Sequence, residues 1–210
     1  MRVLIKWRLA FILITASCFG YKQTGAQGLD LRILKAINPS EPTSQYWIQT
    51  SNSIYWAGAA IPVADLVYGF AKDNEDIKHD AYEMLISVAT NIIVTDLIKR
   101  GIDRDRPGDK HPDVIFPNSI THGKSFPSGH TSLAFAEATT FAFQYKRWWV
   151  TIPAYAWATS VAYSRMYLGK HYPSDVLGGA AVGIGSALAS RWLNRQLFKP
   201  YYKKKPTYDQ

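Results

Sequence analysis

At 210 residues the chain is long enough to bury a full core in one domain, and a composition of 47% hydrophobic and 14% aromatic residues excludes a disordered chain. The formal charge of +8 is concentrated early: Arg2, Lys6, Arg8 and Lys22 precede the first acid, Asp30. Eight less those four leaves +4 beyond residue 26. That excess is too small to call for nucleic acid as a partner. An anionic phosphate substrate or an anionic membrane surface accounts for it equally well.

The chain opens with MRVLIKWR, a basic stretch, followed by LAFILITASCFG, an apolar run too short to span a bilayer comfortably as a helix. Thr24-Gly25-Ala26 then offers small residues suited to cleavage before Gln27. Residues 1–26 therefore read as an export signal, with an uncleaved first membrane helix as the alternative. Cys18 is the one cysteine, and Thr15 stands where a lipid-attachment signal has Leu. Once the signal is removed, no thiol remains for a disulfide or a cysteine metal site.

Residues 27–52 read as an amphipathic N-terminal segment. Within it, 29–37 (LDLRILKAI) spaces its apolar residues as a helix does, and Asn38-Pro39-Ser40 ends it. Five longer apolar segments follow at about 54–71, 82–98, 131–145, 148–163 and 176–193. Their lengths suit helices and they lack strand alternation. The last is rich in glycine and alanine (GGAAVGIGSALAS), which permits close helix approach. The expected fold is an all-α bundle of about five to six core helices over 53–197, with a basic tail over 198–210.

Two features bear on membrane insertion. Mean hydropathy is only −0.14, and Asp65, Asp96 and Glu137 lie inside the apolar segments, as a water-soluble bundle allows. Against that, the charges fit one topology. If segment 54–71 runs inward from the periplasm, the Lys146-Arg147 loop and the Lys203–Lys205 tail both fall on the cytoplasmic side. The expectation is a membrane-spanning bundle, with a soluble periplasmic bundle as the alternative.

Three stretches carry the chemistry. The first, 99–107 (KRGIDRDRP), holds Lys99 and, six residues further on, Arg106-Pro107. Gly101 is expected to break the helix, and Pro107 pushes Arg106 towards an extended backbone. A point-charge Lys beside a forked Arg suits a phosphate, although a basic helix end would look similar. Arg100 and Arg104 read as solvated neighbours. The second stretch, 127–130 (PSGH), places Ser128 as a helix cap and Gly129 where backbone could approach a ligand. The N–H groups of that helix start would face an anion, with His130 positioned to give a proton to a leaving oxygen. A capped helix with a surface histidine is the bland alternative. His111 and His122 read as loop residues.

The third stretch, 164–175 (SRMYLGKHYPSD), supplies Arg165, His171 and Asp175. Pro173 and Ser174 mark a helix start, whose first turn brings Asp175 back to the His171 ring. A carboxylate on one ring nitrogen fixes the tautomer and leaves the other free to attack phosphorus. A His–Asp bond with no chemistry is the alternative. Brought together, Lys99, Arg106, Arg165 and the backbone at Ser128-Gly129 would surround the oxygens of a phosphoryl group, with His171 and His130 in line on either side. No cluster with metal-ligand spacing is present, and no metal or other cofactor is expected.

Lys99-x6-Arg106-Pro107, Pro127-Ser128-Gly129-His130 and Ser164-Arg165-x5-His171-x3-Asp175 together closely resemble the three motifs of the type-2 phosphatidic acid phosphatase family, which shares its core with vanadium-dependent haloperoxidases and bacterial class A acid phosphatases. The resemblance implies a helical-bundle core and metal-free phosphomonoester hydrolysis through a phospho-histidine. It assigns His171 as nucleophile, Asp175 as its partner and His130 as general acid. Lys99, Arg106, Ser128, Gly129 and Arg165 become phosphate ligands, and vanadate a phosphate-mimicking inhibitor. The expected protein is a bacterial envelope phosphatase acting at the periplasmic face on a lipid phosphate. A soluble periplasmic phosphatase for small phosphoesters, a vanadate-dependent haloperoxidase and a non-catalytic lipid-phosphate binder are the other readings.

Overall fold

The computed structural model describes residues 26–204. Residues 1–25, which carry the export-signal reading, and 205–210, the end of the basic tail, lie outside the described residues. Every regular element among the described residues is helical: α1 (Ala26–Ile37), α2 (Gln45–Ala71), α3 (Glu75–Ile102), α4 (Pro107–Lys110), α5 (Gly129–Tyr145), α6 (Trp148–Tyr167), α7 (Pro173–Leu197) and α8 (Lys199–Lys204). The five long helices α2, α3, α5, α6 and α7 are the expected bundle.

The helix ends follow local chemistry. In α3, the Asn74 side chain accepts from the Ile77 N–H at 3.2 Å, Glu75 and Asp76 occupy the first turn, and Lys99 and Arg100 the last. Those charges match the helix dipole at both ends. Gly101 does not break this helix, contrary to the sequence expectation. The helix continues to Ile102 and stops at Asp103, whose φ of 53° is left-handed, with its N–H donated to the Lys99 carbonyl. Aspartate tolerates that conformation well enough to end a helix. The first long helix starts at Gln45 rather than near residue 54. Its opening turns are polar (QYWIQTSNS), so hydropathy hid them, yet Ser51 and Ile54 are buried.

Helix α5 runs through the centre of the bundle. Its alanines 134, 136 and 138 are fully buried, and Ile54, Ala158 and Val161 close around Ala134 and Ala138. Polar side chains tie it to its neighbours. Asn91 Nδ2 donates to Ser132 Oγ at 2.5 Å, Thr95 Oγ1 lies 3.1 Å from the same oxygen, and Thr140 donates to Ser87 Oγ at 3.0 Å. Such bonds fix helix register where apolar packing alone is unspecific. Glu137 is also fully buried, with its Oε1 close to Gly58 of α2.

Glycine decides how closely α7 approaches α5. A Cβ on Gly183 would sit 2.1 Å from the Ser132 carbonyl oxygen.

Among the described residues, three helices are long and apolar enough to cross a membrane: Gln45–Ala71, the stretch Glu75–Lys110 containing α3, and Pro173–Leu197. Their outward faces carry Val63, Val67, Ile92, Ile93, Leu97, Leu177 and Leu188. Exposed Tyr46, Tyr55 and Trp56 lie towards one end of the bundle. Tyr68, Tyr145, Trp148, Trp149 and Trp192 lie towards the other. An apolar band between two aromatic girdles is how a protein meets a bilayer. The three motifs share the first end, and Lys146, Arg147 and Lys199 share the second.

Replacing Gly183 with Ala is expected to force α5 and α7 apart and to cost at least about 1–3 kcal/mol. Thermal unfolding of the detergent-solubilised protein checks this. An unchanged midpoint would contradict the packing argument.

Candidate active site

Helix polarity assembles the site. The C-terminal ends of α3 and α6 and the N-terminal ends of α5 and α7 meet at one end of the bundle. Lys99 and Arg165 come from the first pair, His130 and Asp175 from the second, and the loops supply Arg106, Ser128 and His171. The left-handed Gly169 (φ 65°) turns the chain out of α6 just before His171, and a Cβ there would lie 2.8 Å from the Phe116 carbonyl oxygen.

Each cation is held by neutral oxygen. Lys99 Nζ donates to the Lys124 carbonyl at 2.8 Å. Arg106 donates through Nε to the Gly123 carbonyl and through Nη1 to the Lys170 carbonyl, both at 3.0 Å. Its backbone is extended (φ −72°, ψ 152°), as Pro107 requires. Arg165, almost fully buried, donates to Ser51 Oγ at 2.6 Å. Neutral partners orient these groups without cancelling their charge, so the charge stays available to an anion.

The His171 ring is 3% exposed and lies between this cage and Asp175. Its Nε2 is 3.4 Å from Arg106 Nη1, and its Nδ1 is 3.6 Å from Asp175 Oδ2. The nitrogen facing the cations is therefore the one free to meet phosphorus. Burial lowers the His171 pKa well below its ordinary 6.5, and repulsion from Arg165, Arg106 and Lys99 lowers it further. The ring is thus neutral at physiological pH. His130, in the first turn of α5, packs edge-on against Tyr55 of α2, with ring centroids 5.4 Å apart.

Ser128 occupies the cap position of α5, but its side chain does not cap the helix. Its Oγ accepts from Thr131 Oγ1 at 2.9 Å, and its N–H donates to the Asp175 carbonyl at 2.9 Å. The N–H groups left for an anion therefore begin at Gly129. A Cβ on Gly129 would meet protein only at Thr95, 3.9 Å away. The space beside it is open, as backbone approach to a ligand requires.

Some site residues escaped the sequence reading. Arg104, read there as solvated, is instead mostly buried and paired with Asp175 at 2.7 Å and Asp30 at 2.9 Å. Two acids 71 residues and 74 residues away decide this, and no local pattern announces either. Arg100, by contrast, lies exposed in a pair with Asp96. Lys170, next to His171, donates to Ser119 Oγ at 2.8 Å and Thr121 Oγ1 at 2.7 Å, and also to the Ser119 carbonyl. It fastens the loop after α4 to the site wall. Burial, then Arg165 and Arg106, lower its pKa to about 8. Among the described residues no group of three or more His, Cys, Asp or Glu side chains could hold a metal ion.

The sequence profile of the PAP2 superfamily matches residues 80–199, more than half of the chain and all three motifs. The chain belongs to the PAP2 superfamily. Among related proteins, a lipid A 1-phosphatase of Porphyromonas gingivalis is 40% identical over 81 residues, 38% of this chain and 18% of that protein. A lipid A 1-phosphatase of Rhizobium johnstonii is 34% identical over 110 residues, 50% of this chain and 44% of that protein. The chain thus spans less than half the length of these two relatives. A putative undecaprenyl-diphosphatase of Escherichia coli is 26% identical over 85% of this chain and 89% of its own. Among solved structures, a transmembrane PAP2-type phosphatidylglycerolphosphate phosphatase from Bacillus subtilis superposes with a TM-score of 0.64. That match is 26% identical and covers 90% of this chain and 94% of that one. Aquifex aeolicus LpxE superposes with a TM-score of 0.58 over 78% of this chain and 95% of its own, at 24% identity.

The depressed His171 pKa has a definite sign. Its neutral form persists as pH falls through 6.5 and is lost only at the lower folded value. In histidine-labelled protein, the ring signal that disappears in His171→Ala is expected to keep its neutral shift at about pH 6. A titration midpoint at or above 6.5 would contradict the cage electrostatics.

Proposed function

We propose that this chain is a metal-independent phosphatase for a membrane lipid phosphate. It works at the periplasmic face of a bacterial envelope through a phospho-histidine intermediate. One observation carries the proposal: a neutral histidine presents Nε2 to a buried cation cage whose members are held by neutral oxygens. A phosphoryl group is the ligand whose charge and shape fit that cage.

The chemistry follows from the geometry. The substrate phosphate lies among Lys99, Arg106, Arg165 and the α5 start at Gly129. Nε2 of His171 attacks phosphorus, and His130 on the far side gives a proton to the leaving oxygen. Burial, and then Arg165, His171, Arg106 and Lys99, lower the His130 pKa to about 2 without an anion, so His130 holds that proton only once the phosphate's negative charge offsets those cations. The P–O bond breaks, the lipid product departs, and the phosphoryl group remains on His171. Its Nδ1–H faces Asp175, whose charge stabilises the cationic ring. Water then attacks phosphorus, His130 takes its proton, and inorganic phosphate leaves. The cations supply the charge stabilisation that a metal ion gives in other phosphatases.

Membrane-length helices and aromatic girdles support a lipid substrate. Relatives named for lipid A and undecaprenyl diphosphate point the same way. The basic Lys146-Arg147 end, opposite the site, supports a periplasmic active site by the positive-inside rule.

Phosphate release by detergent-solubilised protein is the test, comparing a lipid A phosphate, phosphatidate and a polyprenyl diphosphate with a water-soluble monoester. Preference for the lipids, insensitivity to chelators and inhibition by vanadate are expected. Faster hydrolysis of the soluble ester would overturn the lipid assignment. Replacing His171 with Ala should lower turnover by at least about a thousandfold with unchanged thermal unfolding. An active variant would eliminate the phospho-histidine route.

A further inference from the structure

We infer that Arg104 and Asp30 are positioning residues of the reaction, acting on His171 through Asp175. The inference rests on the phosphatase reading above and goes beyond the three motifs. Asp30 lies on α1, outside the stretch that matches the family profile.

The connections are continuous. Arg104 Nη1 donates to Asp175 Oδ1 at 2.7 Å and to Ser174 Oγ at 2.6 Å. Its Nη2 donates to Asp30 Oδ2 at 2.9 Å. Asp30 also accepts the Ser174 backbone N–H at 3.0 Å and the Ser174 hydroxyl. The guanidinium lies 4.1 Å over the Tyr172 ring, and the Arg104 carbonyl accepts from the Ser125 N–H at 2.7 Å. Asp175 is fully buried, and its two oxygens have separate tasks. Oδ1 is held by Arg104. Oδ2 accepts the Tyr172 N–H at 2.9 Å and faces His171. The carboxylate therefore cannot rotate away from the ring without breaking a charge-assisted bond.

Helix α1 is firmly docked where it delivers Asp30. Leu34, one turn on, is fully buried against Ile115 and Tyr172. Asn38, a further turn on, donates to the Phe116 carbonyl at 3.0 Å and the Tyr167 carbonyl at 2.9 Å, and accepts the Phe116 N–H at 2.8 Å. Asp30, Leu34 and Asn38 thus form one inward stripe.

The charges explain why both residues are needed. One guanidinium between two carboxylates leaves a single net negative charge beside His171. That charge stabilises the cationic ring of the phosphorylated state. Without Asp30 the guanidinium would neutralise Asp175. Without Arg104 two carboxylates would be left close together with no counter-charge, and Asp175 would lose its anchor.

Arg104→Gln, Arg104→Lys and Asp30→Asn in the full chain test this. Arg104→Gln is expected to lower kcat by about tenfold to a hundredfold with KM nearly unchanged, since nothing that touches the phosphate is removed. Arg104→Lys should recover part of the loss. Combined with Asp175→Asn, Arg104→Gln should add little, because both act by one route. Asp30→Asn, a near-isosteric change, reads the same effect if Arg104→Gln does not fold. An unchanged kcat in folded variants overturns the inference. So does a raised KM at constant kcat, which would place Arg104 in the phosphate cage.

The His171 ring titration gives a reading that needs no turnover. That ring is faced by Asp175 of α7, Arg106 beside α4, Arg165 of α6, Lys99 of α3 and His130 of α5, all of them intact in Asp30→Asn. A shifted midpoint in that variant supports the inference, and an unshifted one overturns it. A wild-type protein that hydrolyses no phosphoester would defeat the phosphatase reading alone.

Discussion

The structure depends on concentrating positive charge in a dry place without neutralising it. Lys99, Arg106, Arg165 and Lys170 crowd one end of the bundle, where burial and mutual repulsion both oppose them. Backbone carbonyls and hydroxyls hold them in place: those of Lys124, Gly123, Lys170, Ser51, Ser119 and Thr121. These acceptors satisfy the donors but leave the charge unbalanced. An anion bound among them would relieve that repulsion, which is the basis of the phosphate site proposed above. Burial, and after it the same field, keep His171 neutral.

A buried guanidinium that the protein does neutralise lies only two positions from a cage member. Arg104 sits between Asp30 and Asp175, whereas Arg106 faces His171. Charge separation over so short a stretch needs rigid walls. Helix α1, the Lys170 clamp on the loop after α4, and the close contact of α5 with α7 at Gly183 provide them. A site at the end of a bundle, with apolar helix faces below it, also suits a substrate whose phosphate lies at a membrane surface while its chains remain in lipid.

The helices were largely legible in the sequence because hydropathy and length report burial in a helical bundle or a bilayer directly. The exceptions are instructive. The polar first turns of α2 were missed because Ser51 is buried to serve Arg165, a partner more than a hundred residues away. Gly101 looked like a breaker, but the helix ended where Asp103 could adopt a left-handed conformation and return its N–H to Lys99. Ser128 looked like a side-chain cap, but its hydroxyl turned to Thr131.

The sequence by itself determined the chemical inventory: three separated motifs with the right cations, two histidines and an aspartate at fixed spacings. Such spacings are set by helix geometry within each segment, so they can be read locally. Tertiary structure alone decided which basic residues keep their charge for a ligand and which give it to an acid. It decided that Nε2 rather than Nδ1 of His171 faces the cage, and that Asp30 of the N-terminal helix reaches Arg104, which holds Asp175. Those outcomes depend on contacts between residues far apart in the chain and on burial, which sets the strength of every charge in the site.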